Sequence, residues 1–510
     1  MNIDVQSNNK RIAKNTIYLY FRMFLTLLVG LYTSRVVLQT LGISDYGLYN
    51  VVGGFVSMLS FINATMATGT QRFLSFAIGQ RDFEKLKSIF ANAFVLHLLI
   101  AILIFILAET IGLWFLYTQM NVPDGRFDAA LWTYQFSVLT LMVSVLQVPF
   151  MSSLVAHEKM NIYAYISVFD VIMKLLVVFM IRICDTDKLI LYAALMFSIQ
   201  FLSAMLYNIY CHKQYTECRF SFRYNKEVLR EMAGFSGWTI IGMLANTTNG
   251  QGINVLFNIF CGTIVNAARG IAFQVNNILM GFVKNFQIAA NPQIIKLYAE
   301  GNFTEMTNLT LQSSKISAFL LLLIMLPFFV DIDFVLYFWL GKYPDLTTEF
   351  VRIVLLQSLI QSMTIPVVIV THAAGKLKMP NLLGGLAILL SLPFSYWLLN
   401  KGYSPSVILT VNIIPYVIEG FFDSYFAQKY AGFSQKRFFK EVYLRVISVA
   451  CLSMVVPFIL TLIWKEQNLC RFLLLSAICV AFTTFFILFL GIDRKQRIEL
   501  LSFLKQKIKI

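Results

Sequence analysis

The chain has 510 residues, of which 58% are apolar and only 13% are charged. A soluble globular protein is about 45–50% apolar and about 25% charged, and it could not cover this apolar surplus with a polar surface. The composition therefore excludes a soluble protein and predicts that lipid surrounds most of the molecule. In such a chain the formal net charge of +15 bears first on helix orientation rather than on nucleic-acid binding.

Apolar runs of about 20 residues predict membrane-spanning helices along the whole chain. The first run is too long for the apolar part of a secretory signal and has no cleavage site, so we expect a retained helix. Fourteen spans are predicted, at 15–40, 46–70, 89–116, 130–153, 161–183, 189–211, 233–259, 264–288, 315–340, 348–371, 380–400, 406–428, 443–464 and 471–492. The connections between them are too short to hold a soluble domain.

The distribution of basic residues predicts the orientation of these helices. With a cytoplasmic N-terminus, most of the 41 Lys and Arg residues fall in inner connections, as the positive-inside rule requires. Both termini should then be cytoplasmic. The tail 494–510 alternates apolar and basic residues, which predicts an amphipathic helix on the inner leaflet. A frayed, solvated tail is the alternative.

Two sequence landmarks recur at the same spacing and indicate an internal repeat. Gly42, in the predicted first loop 41–49, and Gly262, after the seventh span, are 220 positions apart, and so are Phe83 and Phe303. The chain then divides into an N-lobe (1–220), a C-lobe (221–440) and a last section (441–510) with two further spans and the tail. Six spans per copy give parallel repeats, an arrangement typical of carriers. Chance similarity between apolar loops is the alternative.

Charged side chains in the interior of a membrane span are costly and commonly functional. Arg22 lies in the first span, and Asp170 and Lys174 lie four residues apart in the fifth, on one helical face. We expect Arg22 and Lys174 to face a cationic substrate cavity and Asp170 to be a candidate for cation coupling. A structural ion pair is the alternative for Asp170 and Lys174.

Four more basic residues border the spans, and the seventh span is unusually polar. The four are Arg35, Arg72, Arg269 and Lys284, which would either line the same cavity or extend to the membrane surface. The polar positions of the seventh span include Asn246, Asn249, Gln251 and Asn254, predicted to hydrogen-bond substrate or, alternatively, to join helices. Gly250 and Gly252 would permit an unwound segment there.

Several common forms of chemistry find no support in the sequence. The seven Cys and four His show no metal-ligand spacing, so neither a metal nor a cofactor is expected. No phosphate-binding loop for ATP is present. The Asp-x-Asp sequences at 185–187 and 331–333 resemble the metal-binding motif of glycosyltransferases, but they lie in short outer connections.

Short motifs in the N-terminal part resemble a known superfamily. They are Lys14-Asn15, Ser34-Arg35, Leu41-Gly42-x-x-Asp45-Tyr46-Gly47-Leu48-Tyr49, Gln71-Arg72-Phe73 and Gly79-Gln80-Arg81-Asp82-Phe83. With the topology, they resemble the polysaccharide-biosynthesis branch of the multidrug/oligosaccharidyl-lipid/polysaccharide (MOP) flippases, most closely Wzx-type O-antigen and capsule-repeat flippases. The resemblance implies an all-α membrane protein with two six-helix lobes of the MATE-like MOP fold and two C-terminal helices.

The resemblance also implies a function and its partners. The substrate would be an undecaprenyl-diphosphate-linked oligosaccharide, moved by alternating access across a bacterial inner membrane alongside polysaccharide polymerase and export machinery. We therefore expect a transporter and no enzyme. The alternatives are a cation-coupled drug or metabolite antiporter of the same superfamily and a membrane-embedded glycosyltransferase or polymerase. A flippase for the peptidoglycan precursor is a near variant of the first function.

Overall fold

The computed structural model describes residues 2–57, 60–118, 122, 125–184, 186–219, 225–261, 263–464, 466–493 and 497. Every regular element in these ranges is helical, as the sequence predicts. The chain forms two compact units, unit 1 with residues 1–240 and 288–300 and unit 2 with residues 241–287 and 301–510. The predicted division at 220 and 440 stays a prediction, and the predicted tail helix lies, apart from Arg497, outside the described residues.

The helices of the first half are α1 (Asn2–Ser57), α2 (Ser60–Gly79), α3 (Phe83–Leu107), α4 (Leu113–Thr118), α5 (Phe127–Ala156), α6 (Met160–Ile183), α7 (Lys188–Gln214), α8 (Lys226–Cys261) and α9 (Thr263–Ala299). Those of the second half are α10 (Phe303–Val330), α11 (Ile332–Leu340), α12 (Thr347–Ala374), α13 (Lys378–Asn400), α14 (Pro405–Val411), α15 (Ile413–Ala431), α16 (Gln435–Phe438), α17 (Leu444–Ile463) and α18 (Leu469–Phe486). π-helical turns connect α3 to α4 and α16 to α17.

Ten of the predicted spans are present as helices long and apolar enough to cross a membrane. Among the described residues, these ten lie between Phe83 and Ile183, between Lys188 and Gln214, and from Phe303 to Gly491. The other four predicted spans fall on α1, α2, α8 and α9. The fold class is therefore confirmed, and the count of fourteen spans stays a prediction.

Two predicted boundaries are wrong. The predicted first loop at 41–49 is helical, because α1 continues to Ser57. This stretch contains no proline, and a glycine inside a helix costs only about 1 kcal/mol relative to alanine. The predicted span 315–340 is two helices, because α10 ends at Val330 and α11 begins at Ile332.

The spacing of 220 residues in the sequence corresponds to equivalent helix starts. Phe83 and Phe303 are the first residues of α3 and α10, and each follows a capping side chain. The side chains of Asp82 and Asn302 accept hydrogen bonds from the backbone N–H three residues further on, at 3.0 and 3.3 Å. Such caps satisfy one of the free N–H groups of a helix start.

The spacing continues along the chain. α5 and α12 begin at 127 and 347, α6 and α13 at 160 and 378, and α7 and α14 at 188 and 405. Because helix starts recur at 217 to 220 residues, the recurrence extends beyond the two sequence landmarks. This agrees with a duplicated unit and is harder to explain by chance similarity of apolar loops.

Within unit 1, a single arginine connects three helices at the start of α5. Arg126 donates from Nε and Nη2 to Asp45 of α1 at 2.9 and 2.6 Å, and from Nη1 to Asp187 at 2.5 Å. Asp187 also caps α7 by accepting from two backbone N–H groups. Burial alone would raise the pKa of Asp187, but the hydrogen bonds from Arg126 and from the backbone outweigh it, so its pKa lies below the usual value.

We expect Arg126→Gln to lower the free energy of unfolding by about 1.5–3 kcal/mol, the usual contribution of hydrogen bonds to charged groups. Because the pKa of Asp187 is lowered in the folded protein, its contribution is present above about pH 4 and is lost as the pH falls through the folded value. Thermal unfolding at pH 7 and at decreasing pH checks this. Arg182→Gln, at an exposed position, is the control. A difference that grows on acidification would contradict the account.

Candidate functional site

Unit 1 contains a cavity of about 440 Å³ lined by α1, α5, α6 and α7. This unit 1 cavity falls within the size range of small-molecule sites, about 300–1,000 Å³. Its polar lining consists of Arg22, Thr26, Thr33, Gln147, Tyr163, Ser167, Asp170, Lys174, Gln200, Ser203 and Tyr207. The structure thus brings together Arg22 of the first predicted span with Asp170 and Lys174 of the fifth.

Arg22 is oriented by an aromatic side chain from another helix. Its Nη1 donates to Tyr163 Oη at 2.9 Å, and the guanidinium lies 4.9 Å from the centre of the same ring. A cation over an aromatic face is attracted by the ring quadrupole. Because Tyr163 takes up one N–H of the guanidinium, the fork of Arg22 is fixed in the wall of the cavity rather than free to extend to the membrane surface.

Asp170 and Lys174 form an ion pair on α6. Lys174 Nζ lies 2.7 Å from Asp170 Oδ2, and Ser203 of α7 donates to Asp170 Oδ1 at 3.3 Å. The pair is neutral as a unit. Among the lining residues, two basic side chains, Arg22 and Lys174, stand against one carboxylate, Asp170, so the formal charge of the lining is positive. The unit 1 cavity accordingly favours an anion.

Neutral hydrogen-bonding groups complete the lining. Gln200 Nε2 donates to Gln147 Oε1 at 2.6 Å between α7 and α5. The rings of Tyr163 and Tyr207 lie 6.4 Å apart, centre to centre. Amides and hydroxyls of this kind can donate to and accept from the hydroxyls of a sugar, and an aromatic ring supplies an apolar face with a polar end.

Arg72 lies outside the unit 1 cavity and is packed among aromatic side chains. It is 6% exposed, its guanidinium lies 4.4 and 5.3 Å from the rings of Phe73 and Phe235, and it pairs with Glu231 at 3.7 Å. It therefore joins α2 to the beginning of α8. These contacts are those of a packing residue, and they give no support to the prediction that Arg72 binds substrate.

In unit 2, three predicted residues form one hydrogen-bonded chain. Arg269 is 8% exposed and donates to Asn254, whose Nδ2 donates to Gln251 Oε1 at 3.1 Å. The Arg269 guanidinium also lies 4.4 Å from the centre of the Phe273 ring. This chain connects α9 to the polar stretch of α8 and is a second polar cluster besides the unit 1 cavity.

The remaining predicted residues are placed differently. Asn249 donates to the carbonyl of Ile388 at 2.9 Å and to Ser391, so it joins α8 to α13, the alternative that the sequence left open. Asn246 is exposed and donates to a carbonyl of its own helix, 3.2 Å away. Lys284 is also exposed, and the side chain of Arg35 lies outside the described residues.

The unwound segment that Gly250 and Gly252 would permit is not formed, because α8 is continuous there. A Cβ on Gly252 would lie 2.6 Å from the side chain of Leu392. The absence of a side chain thus allows α13 to approach closely, and the glycine serves packing rather than unwinding.

The sequence reasoning missed the uncharged residues of the cavity and a pair of carboxylates in unit 2. Tyr163, Gln147 and Gln200 were not predicted, because uncharged polar side chains in membrane helices also serve to join helices. Glu419 and Asp423 lie four residues apart on α15, and Asp423 is 7% exposed. Their presence within a predicted span was a signal that a search for acidic as well as basic residues would have found.

In the part of the chain that the structure describes, no group of three or more His, Cys, Asp or Glu side chains is placed to hold a metal ion.

Solved structures provide the comparison that decides the fold. A MATE transporter in its bent conformation superposes with a TM-score of 0.72 at 14% sequence identity, covering 83% of this chain and 96% of that one. An outward-facing multidrug-resistance MATE transporter of the MOP superfamily gives 0.70 at 14% identity, covering 83% and 96%. The chain has the MATE fold.

A third structure with the MATE fold differs from these in its pocket. It is a MOP-superfamily transporter from Pyrococcus furiosus, with a TM-score of 0.65 and 14% identity over 82% of this chain and 96% of that one. Its binding pocket is described as having reversed polarity, which suggests a different function for that protein. No protein-family model matches the sequence of this chain, and no curated protein matches it.

The MATE fold and the ten apolar helices together indicate a multi-pass membrane protein. They leave the choice of membrane and the side on which the termini lie as predictions. At 13–14% identity, the similarity concerns the fold, and the function has to be argued from the cavity.

Proposed function

We propose that the chain is a transporter, and no enzyme, that moves a lipid-linked anionic oligosaccharide across a bacterial inner membrane by alternating access. The cargo would be an undecaprenyl-diphosphate-linked repeat unit, as in Wzx-type flippases for O-antigen or capsule. The observation that supports this most is the net positive charge of the unit 1 cavity, where Arg22 stands beside a neutralised Asp170–Lys174 pair.

The chemistry of such a cargo matches the lining. A diphosphate cannot enter hydrocarbon without compensation of its charge, and the planar fork of an arginine suits phosphate oxygens. The amides and hydroxyls around Arg22 would replace water around the sugar. The apolar polyprenyl chain would remain in lipid, because an apolar chain gains no free energy by entering a polar cavity.

Polysaccharide polymerase and export machinery would be the partners, and both termini would be cytoplasmic.

In this proposal the ion pair between Asp170 and Lys174 opens when Lys174 binds a phosphate oxygen of the cargo. The carboxylate is then free for a coupling cation.

A second candidate function is cation-coupled export of drugs or metabolites. Its support is the MATE fold, shared with a multidrug-resistance transporter, and the presence of Asp170 in the cavity. A cationic drug needs an available carboxylate, however, and Asp170 is 2.7 Å from Lys174. The charge of the lining therefore favours the anionic cargo.

One experiment distinguishes the two. The chain is produced in cells that lack their own flippase, and surface glycan and ethidium efflux are both measured. We expect restored glycan export and unchanged ethidium efflux. Gradient-driven ethidium efflux without restored glycan would contradict the proposal and favour the antiporter.

A further inference from the structure

The short turn between α5 and α6 contains a buried glutamate in a strained backbone conformation. Glu158 has φ of +60° and is 4% exposed. A residue with a Cβ pays in energy for this left-handed conformation, which persists only where its surroundings hold it in place. The contacts of Glu158 therefore hold this backbone conformation in place.

The carboxylate of Glu158 binds the end of α9. Oε1 accepts from Lys296 Nζ at 2.6 Å and Oε2 accepts from Gln293 Nε2 at 2.9 Å, while Asn15 of α1 donates to the Glu158 carbonyl at 3.1 Å. The side chains of Glu158 and Lys296 are 1% and 16% exposed. Charge-assisted hydrogen bonds of this length in buried surroundings are strong.

Helix α9 contributes residues to both units. Its residues 263–287 belong to unit 2, whereas 288–299 belong to unit 1. Gln293 and Lys296 are both in the second stretch. Glu158, Gln293 and Lys296, here called the Glu158 latch, therefore join the α5–α6 turn to the last part of α9 within unit 1.

Two further contacts of this end of α9 differ in kind. A Cβ on Gly79, the last residue of α2, would lie 2.8 Å from the Lys296 carbonyl oxygen, and the rings of Phe76 and Tyr298 lie 6.3 Å apart. These contacts depend on shape and can slide, whereas the Glu158 latch depends on one carboxylate. The charged contact is thus the one that can be switched.

On its other side the turn is fixed. His157 Nε2 lies 2.6 Å from Glu217 Oε1, and its ring stacks on Tyr215 at 4.2 Å with an angle of 6° between the planes. The turn also continues directly into walls of the unit 1 cavity. Met151 lies seven residues before Glu158, and Tyr163 lies five after it, or about 8–10 Å along each helix.

We propose that the Glu158 latch is releasable and controls access to the unit 1 cavity from the side of the α5–α6 turn. While it is closed, the end of α9 holds the turn, and with it α5 and α6, in the arrangement described. When it opens, the Glu158 side of the turn is free to move while the His157 side stays held, and the cavity becomes accessible from that side. The proposal concerns access alone and is independent of the cargo.

Labelling of a cavity residue tests this without any transport measurement. The parent carries Thr26→Cys, with the exposed or half-buried Cys184, Cys261, Cys451 and Cys470 replaced by serine. Maleimide labelling of Cys at 26 is measured from each side in oriented vesicles. We expect Glu158→Gln to raise the rate from the side of the turn about tenfold and to leave the rate from the opposite side unchanged or lower.

Matched variants decide the outcome. Glu84→Gln, at an exposed glutamate, should label like the parent, and Glu158→Lys combined with Lys296→Glu should return the rate toward that of the parent. Gln293→Leu, which removes one hydrogen bond, gives a smaller rise and replaces Glu158→Gln if the latter fails to fold. Parental labelling in Glu158→Gln and Gln293→Leu would overturn the proposal, and so would an equal rise from both sides, which indicates general loosening.

Discussion

Arg22→Gln should reduce binding and export of a lipid-linked anionic glycan by about tenfold to a hundredfold. A hydrogen bond to a charged group contributes about 1.5–3 kcal/mol, and each 1.4 kcal/mol corresponds to a factor of ten. The lining contains two basic side chains, Arg22 and Lys174, and one carboxylate, Asp170, so the loss of Arg22 leaves a lining without net charge. The measurement is surface glycan in cells without their own flippase, at equal amounts of inserted protein.

Two further variants separate charge from geometry. Arg22→Lys keeps the charge and loses the fork, so we expect a smaller loss than with glutamine. Tyr163→Phe keeps the ring and removes the hydroxyl that accepts from the Arg22 guanidinium at 2.9 Å. Its glycan export should therefore lie between that of Arg22→Lys and that of the parent. Full export by a normally inserted Arg22→Gln protein would show that Arg22 does not bind the cargo.

Arg471→Ala should destabilise unit 2 by about 3–5 kcal/mol, the usual cost of removing one partner of a buried ion pair. Arg471 Nη2 lies 3.3 Å from Asp331 Oδ1, and the two side chains are 6% and 2% exposed. The pair fastens the beginning of α18 to the end of α10. Burial already raises the pKa of Asp331. Without Arg471, the Asp331 carboxylate would also lose the positive charge beside it.

Thermal unfolding in detergent measures the effect, with Arg437→Ala as the control. Arg437 forms an exposed pair with Glu441 on one helix face, and such pairs contribute only about 0.3–0.5 kcal/mol. Replacing both buried partners, as Arg471→Met with Asp331→Leu, should recover much of the loss because no lone charge remains. Equal destabilisation by Arg471→Ala and Arg437→Ala would contradict the account.

The ten helices found from Phe83 onward could be predicted from the sequence because their signal is collective. A span needs about 20 apolar residues, so a single misjudged residue changes little. The spacing of 220 residues was also visible, since Phe83 and Phe303 are the first residues of α3 and α10. The continuous helix at 41–49 was missed because glycine weakens a helix without preventing it, and packing decides.

The candidate site was less predictable, because the role of a polar residue depends on its neighbour. Arg22 and Arg72 look alike in the sequence, yet Arg22 lines a cavity beside Tyr163 and Arg72 lies among phenylalanines and pairs with Glu231. Asn249 could bind cargo or a helix, and its partners in α13 favour the helix. Such partners come from distant parts of the chain, which composition and spacing do not reveal.

The most direct measurement is a structure of the chain with an undecaprenyl-diphosphate-linked oligosaccharide. The account predicts phosphate oxygens at about 2.8 Å from the Arg22 guanidinium, with the first sugar beside Tyr163, Gln147 and Gln200 in the unit 1 cavity. A headgroup bound at Arg269 with the unit 1 cavity empty of cargo would contradict it.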